Sequence, residues 1–132
     1  MEELVELEQA VNELKFPSMR EEVIEAVRAL SDRAYQEREW GRCRDANRRY
    51  DDLDINVHIL YDDTRVLPDP SAQVGIVLFA EDVPPLRALE EVLGPLIDEL
   101  GDVPDREYLA NPRWNSVLVL AARAADEMTR RE

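Results

Sequence analysis

One cysteine, Cys43, and one histidine, His58, stand among 132 residues. A disulfide needs two cysteines and a Cys/His zinc centre needs several ligands of those two types, so both are excluded. Lysine is as scarce, Lys15 being the sole one among 16 basic residues, an arginine-heavy usage associated with GC-rich bacterial coding sequence. The four glycines, Gly41, Gly75, Gly94 and Gly101, lie too far apart to build a phosphate-cradling loop or a dinucleotide fingerprint. Long apolar runs are missing too. The densest, Val74 to Ala80, is far short of the roughly 20 residues that span a bilayer, so membrane insertion is not expected. Met1-Glu2-Glu3-Leu4-Val5-Glu6 contains no basic or apolar stretch of the kind a leader peptide needs, and neither end bears a lipidation motif; the expected location is the cytoplasm.

Acid is what the chain has in excess. Thirty acidic residues oppose the 16 basic ones, for a net charge of −14 and a pI near 4.4. At 45% hydrophobic residues the chain can still bury a core, and the length predicts one domain over residues 1–132. The charge is uneven. From Arg33 to Arg49 six arginines face Glu37, Glu39 and Asp45 for a net of +3, leaving ten basic and 27 acidic residues, net −17, elsewhere. Mixed-charge helix faces usually pair such arginines with acidic neighbours. A background this negative repels a phosphate backbone, which argues against nucleic acid, and attracts a basic protein while speeding its encounter.

Apolar periodicity predicts helices almost throughout. Leu4, Leu7, Val11 and Leu14 form one stripe at spacings of three and four. Ser18 followed by Glu21 has capping-box spacing and predicts a helix start, with a stripe through Met19, Val23, Val27, Leu30 and Ala34 toward Trp40 and Gly41. Leu86, Leu89, Leu93, Leu96 and Leu100 form a further stripe closed by Gly101, and Gly94-Pro95 in its middle predicts a kink or two shorter helices at an angle. Asp69-Pro70 and Asn111-Pro112 both read as helix starts, the first before Val74, Val77 and Leu78, the second before Trp114, Val117, Leu118, Ala121, Ala125 and Met128. Residues 51–64 fit either period, since Leu53, Ile55, Val57 and Ile59 alternate while Leu53, Val57, Leu60 and Tyr61 share a helical face. Asp51 and Asp52 as N-caps decide for helix. The alternative is an α+β protein in which 55–59 pairs with 74–79. The fold expected is therefore an all-α bundle of six or seven short amphipathic helices. Its expected core includes Leu7, Val11, Leu14, Val23, Val27, Leu30, Val57, Leu89, Leu93, Leu96, Trp114, Val117 and Leu118.

Few residues carry chemistry. Asp51, Asp52 and Asp54 stand at one end of the 51–64 helix and Asp62 and Asp63 at the other, about 15 Å apart at 1.5 Å per residue, so one helix cannot bring both groups to one ion. No EF-hand spacing is present, and no metal or cofactor is expected. The bland reading of these aspartates is helix-end stabilisation and a solvated turn. His58 among apolar neighbours is more often a packed side chain than a base, and Cys43, although flanked by Arg42 and Arg44, more often an ordinary thiol.

Phe16-Pro17-Ser18-Met19-Arg20-Glu21-Glu22-Val23-Ile24, Tyr50-Asp51-Asp52-Leu53 and Leu60-Tyr61-Asp62-Asp63-Thr64 running on to Val66-Leu67-Pro68-Asp69-Pro70, with Trp114 near the end, resemble a family of short uncharacterised actinobacterial proteins. The resemblance implies no activity, cofactor or site residue. The layout of short acidic helices is similar, compositionally, to some immunity proteins of contact-dependent growth-inhibition systems. The function expected is a non-enzymatic acidic binding module, immunity- or antitoxin-like, that engages a basic partner protein. Trp40, Asp51, Asp52, Asp62 and Asp63 are its candidate contacts, Trp40 serving as an exposed anchor unless it is a core residue. The competing expectation is a small metal-dependent or hydrolytic enzyme using an aspartate cluster with His58, and a homodimer on an apolar helix face is a further alternative.

Overall fold

Pro17, which has no N–H to leave unsatisfied, occupies the first turn of the first helix in the computed structural model, which describes residues 14–41 and 50–130. That helix, α1, runs Pro17–Ser31, so the chain enters one residue before Ser18 and without a side-chain cap; the expected Ser18/Glu21 box is not the device used. The helix does not continue to Trp40 either. Asp32 is extended and accepts from the amide of Tyr35 at 3.0 Å, which ends α1 and caps a second helix, α2, Arg33–Glu39. Helix α3, Leu53–His58, is capped by Asp52, whose carboxylate accepts from the amide of Ile55 at 2.8 Å, and it widens into a single π turn, Ile59–Asp63. Thr64 closes this turn: its amide and its hydroxyl both donate to the carbonyl of Ile59, at 3.0 and 2.6 Å. Two 3-10 turns, Pro70–Gln73 and Ala80–Asp82, lead to α4, Val83–Leu100, then α5, Asp105–Ala110, and α6, Trp114–Thr129.

All-α architecture is therefore observed, and among the described residues there is no strand, only two isolated bridges, Trp40 with Asp51 and Val74 with Leu78. The 55–59/74–79 hairpin does not form because both segments satisfy their amides locally. Residues 55–58 lie within α3. In the other segment the carbonyl of Gln73 takes the amides of Ile76, Val77 and Leu78 at 3.1, 3.0 and 3.1 Å. With Gly75 at φ +84° the β-branched run is wound into a tight loop. The same finding corrects the expected helix after Asp69-Pro70. Asp69 does cap, accepting from Ser71 at 3.2 Å, but only a four-residue 3-10 turn follows. Helix α4 runs through Gly94-Pro95 as one element rather than two, and ends at Gly101 with φ +63°.

α6 is the axis of assembly. Its most extensive contacts are with α1 and α4, and α3 with its π turn packs on α1. Small side chains, Ala26 on α1 and Ala121 and Ala124 on α6, are completely buried, while Val23, Val27, Leu30, Leu89, Leu93, Leu96, Trp114 and Val117 fill the space around them. Each large aliphatic side chain so buried contributes about 1.5–3 kcal/mol relative to exposure. Leu14 is buried as expected; Val57 and Leu118 are only partly so. The expected Leu4-to-Val11 stripe, Cys43 and the arginines at 42, 44, 48 and 49 lie outside the described residues.

Polar groups inside this core are matched. Trp114 donates its indole N–H to Gln36 Oε1 at 2.9 Å, and Gln36 Nε2 donates to the carbonyl of Ala29 at 2.8 Å. Arg20, also buried, donates through Nη2 to Asp82 Oδ1 at 3.2 Å and to the carbonyl of Met128 at 2.9 Å, and its guanidinium lies 4.8 Å from the centre of the Phe79 ring. Asp82 also accepts from the amide of Phe79 at 2.9 Å.

Candidate functional site

The aspartates before α3 point into hydrogen bonds rather than outward. Asp51 accepts from Tyr35 Oη at 2.6 Å, Trp40 Nε1 at 3.1 Å and Asn56 Nδ2 at 3.0 Å. Asp52 caps α3 and takes the hydroxyl of Tyr50 at 2.9 Å. Asp105 joins them from α5 by accepting from the amide of Leu53 at 3.1 Å. Its carboxyl is raised above the ordinary range by burial and by the charges of Asp52, Asp54 and Asp51, against the lowering effect of the Leu53 bond. Donors thus hold this cluster in place.

Trp40 is buried, 5% exposed, so it is not an exposed anchor. Its ring meets Trp114 edge-to-face, centroids 6.0 Å apart at 71°, and Tyr108 meets Trp114 from another side at 6.3 Å and 73°. Such aromatic pairs favour the inside. The depression that Trp40 touches, about 540 Å³, mixes Arg33 and Arg106 with Glu37 and Asp105.

His58 stands on the exposed face of α3, one turn from aspartates on either side. Nε2 lies 3.5 Å from Asp54 Oδ2, and Nδ1 pairs with Asp62 Oδ2. The imidazole pKa is raised, first by the Asp62 hydrogen bond and then by the charge of Asp54. Because the two carboxylates engage different ring nitrogens, one ion cannot take both through the ring. Among the described residues no three His, Cys, Asp or Glu side chains come together as a metal site. Asp62 and Asp63 are exposed at the π turn.

A groove of about 720 Å³ opens between this π turn and α4. Val57, Pro68, Pro95 and Ile97 make its apolar walls, and Gly94 contributes bare backbone. Its polar lining is Tyr61, Glu90, Glu91 and Asp98. Tyr61 donates its hydroxyl to Glu90 Oε2. Burial, the Glu90 bond and the charges of Glu90 and Asp98 all push the phenol upward, so it stays protonated and donating. Burial and Asp98 also raise Glu90, against the Tyr61 bond. No cation among the described residues pairs with Glu90, Glu91 or Asp98.

A family model described as a domain of unknown function, DUF7945, matches residues 14–132. The chain belongs to that family. This agrees with the resemblance to an uncharacterised family carried by residues 16–24, 50–53 and 60–70, and DUF7945 assigns no role to any of the residues above. No curated protein and no solved structure matches the chain.

No sequence pattern marks the groove residues as one lining, and Val57 among them reads as a core position. Glu90, Gly94 and Asp98 recur every fourth position, with Glu91 and Pro95 alongside, so they share one helix face opposite the leucine stripe. Gly94-Pro95 reads as a break, and that reading hides the face.

Proposed function

We propose that the chain is a non-enzymatic acidic binding module that engages a basic partner protein, in the manner of an immunity or antitoxin protein that covers a basic surface. The observation that carries this reading is the groove beside α4, which is walled by apolar side chains and offers three carboxylates with which no cation among the described residues pairs. Concave apolar surface with a few convergent polar groups is where binding energy is concentrated. Excess charge of one sign adds steering and selectivity rather than bulk affinity. The competing hydrolytic reading needs His58 and two aspartates to share a concavity; His58 meets Asp54 and Asp62 on an exposed helix face and does not line the groove.

The test is to identify the proteins that co-purify with the full chain from its native cell at low salt and to reconstitute the pair from purified components. The expected partner is basic on its contacting face, and its association rate falls steeply as salt is raised. A neutral or acidic partner with salt-insensitive binding, or a turnover activity abolished by His58→Ala, would overturn the proposal.

A further inference from the structure

Resting on the proposed binding role, we infer that the groove beside α4 seats an arginine of the partner, its guanidinium held between Glu90 and Asp98 and its apolar neighbour laid against Val57, Pro68 and Ile97. Three features of the groove select this occupant.

The first is where the Glu90 carboxylate lies. Glu90 and Asp98 are two helical turns apart, about 12 Å of rise, too far for one cation if both side chains stood upright. The Glu90 side chain instead reaches along α4 over Gly94: a Cβ built on Gly94 would overlap Glu90 Oε1 and come within 3.0 Å of its Cδ. The carboxylate is thereby carried one turn toward Asp98, and the influence of Asp98 on Glu90 is the electrostatic trace of that approach. Gly94 is thus a positioning residue, and the absence of its side chain makes the room.

The second is the direction of the hydrogen bonding. Tyr61 spends its only proton on Glu90 Oε2, leaving Oε1 on the Gly94 side. Pro95 has no N–H, so the carbonyl of Glu91, one turn earlier, lacks its usual helical donor. What the side chains offer a ligand is therefore acceptors: Glu90 Oε1, the Glu91 and Asp98 carboxylates, and the Tyr61 oxygen. An acceptor-only lining suits a ligand rich in donors, and guanidinium carries five with no acceptor.

The third is size and polarity. A space of about 720 Å³ exceeds one side chain, and Val57, Pro68, Pro95 and Ile97 leave apolar wall beyond the carboxylates. An arginine within an apolar stretch of polypeptide fills both parts, whereas a bare cation wets the acids and leaves the walls uncovered.

The experiment titrates the full-length ¹⁵N-labelled chain with a short capped peptide in which one arginine is flanked by leucines, with the same peptide carrying citrulline, and with spermidine. The arginine peptide is expected to move the amide signals of Tyr61, Gly94 and Ile97, and the citrulline peptide to fail. Glu90→Gln and Asp98→Asn should each weaken binding roughly ten- to hundredfold. Gly94→Ala keeps every charge and favours helix, yet should weaken binding by displacing the Glu90 carboxylate; circular dichroism and thermal unfolding confirm that it folds. Arginine-peptide binding that shifts other acidic surface and ignores all three variants would overturn the groove assignment while leaving the basic-partner reading standing. Spermidine binding the groove as tightly as the peptide would overturn the polypeptide occupant. No binding by the arginine peptide or by spermidine anywhere on the chain would count against both.

Discussion

At the scale of single residues, identical side chains twelve positions apart have opposite jobs. Asp51 accepts three side-chain donors, from Tyr35, Trp40 and Asn56, whereas Asp63 is exposed at the π turn. Asp51→Ala strands those donors in a partly buried setting. It is expected to cost about 3 kcal/mol in urea unfolding, while Asp63→Asn should stay within about 0.5 kcal/mol. A result the other way round would mean that Asp51 is held for a ligand and not for the fold. The sequence makes the pair Asp51-Asp52 legible as helix-capping acids, and Asp52 does cap. It cannot reveal that Asp51 serves donors from residues 35 and 40, because that depends on α2 lying beside the start of α3, which no local pattern encodes. Trp40 was undecidable for the same reason: its place inside depends on Trp114, 74 positions further on.

At the scale of elements, leucine spacing marks the buried stripe of α4 from Leu86 to its stop at Gly101, while Gly94-Pro95 points to a kink or split within it. Proline in its third quarter is a poor guide, because a helix already anchored by Leu86, Leu89, Leu93 and Leu96 tolerates one missing hydrogen bond. The α3 segment shows the opposite case. Its helix is legible through its caps, but the π turn that ends it is not, since an extra residue per turn has no composition of its own. That turn closes the His58–Asp62 pair. By NMR titration the His58 pKa should lie above 6.5, and Asp62→Asn should lower it more than Asp54→Asn does, in keeping with the order of the two influences. An unmoved pKa in Asp62→Asn would remove the hydrogen bond from the account.

At the scale of the whole molecule, the shifted acids and the histidine lean one way. His58, Glu90 and Asp105 all have pKa values raised by the fold, so the folded chain holds protons that the unfolded chain has released. Their stabilising share is fully present below the unfolded values and is lost as pH rises through the folded ones. For His58 that loss falls above pH 6.5, and for Glu90 and Asp105 above the ordinary carboxyl values of 4.5 and 3.8. Together with relief of a net −14 charge, this predicts a melting temperature that climbs as pH is lowered from 8 toward 5; a flat or falling profile would contradict it. The all-α class was readable because it rests on periodicity, whereas the packing order of α1, α6 and α4 was not, because stripes say which face is buried and not against what. Arg20 ties that order together. One guanidinium reaches the 3-10 turn before α4 and the carbonyl of Met128 near the end of α6. Peeling α6 away would therefore strip a desolvated charge of part of its shell, so the last helix has no inexpensive way to fray from the rest, and the three segments are bound to melt in concert.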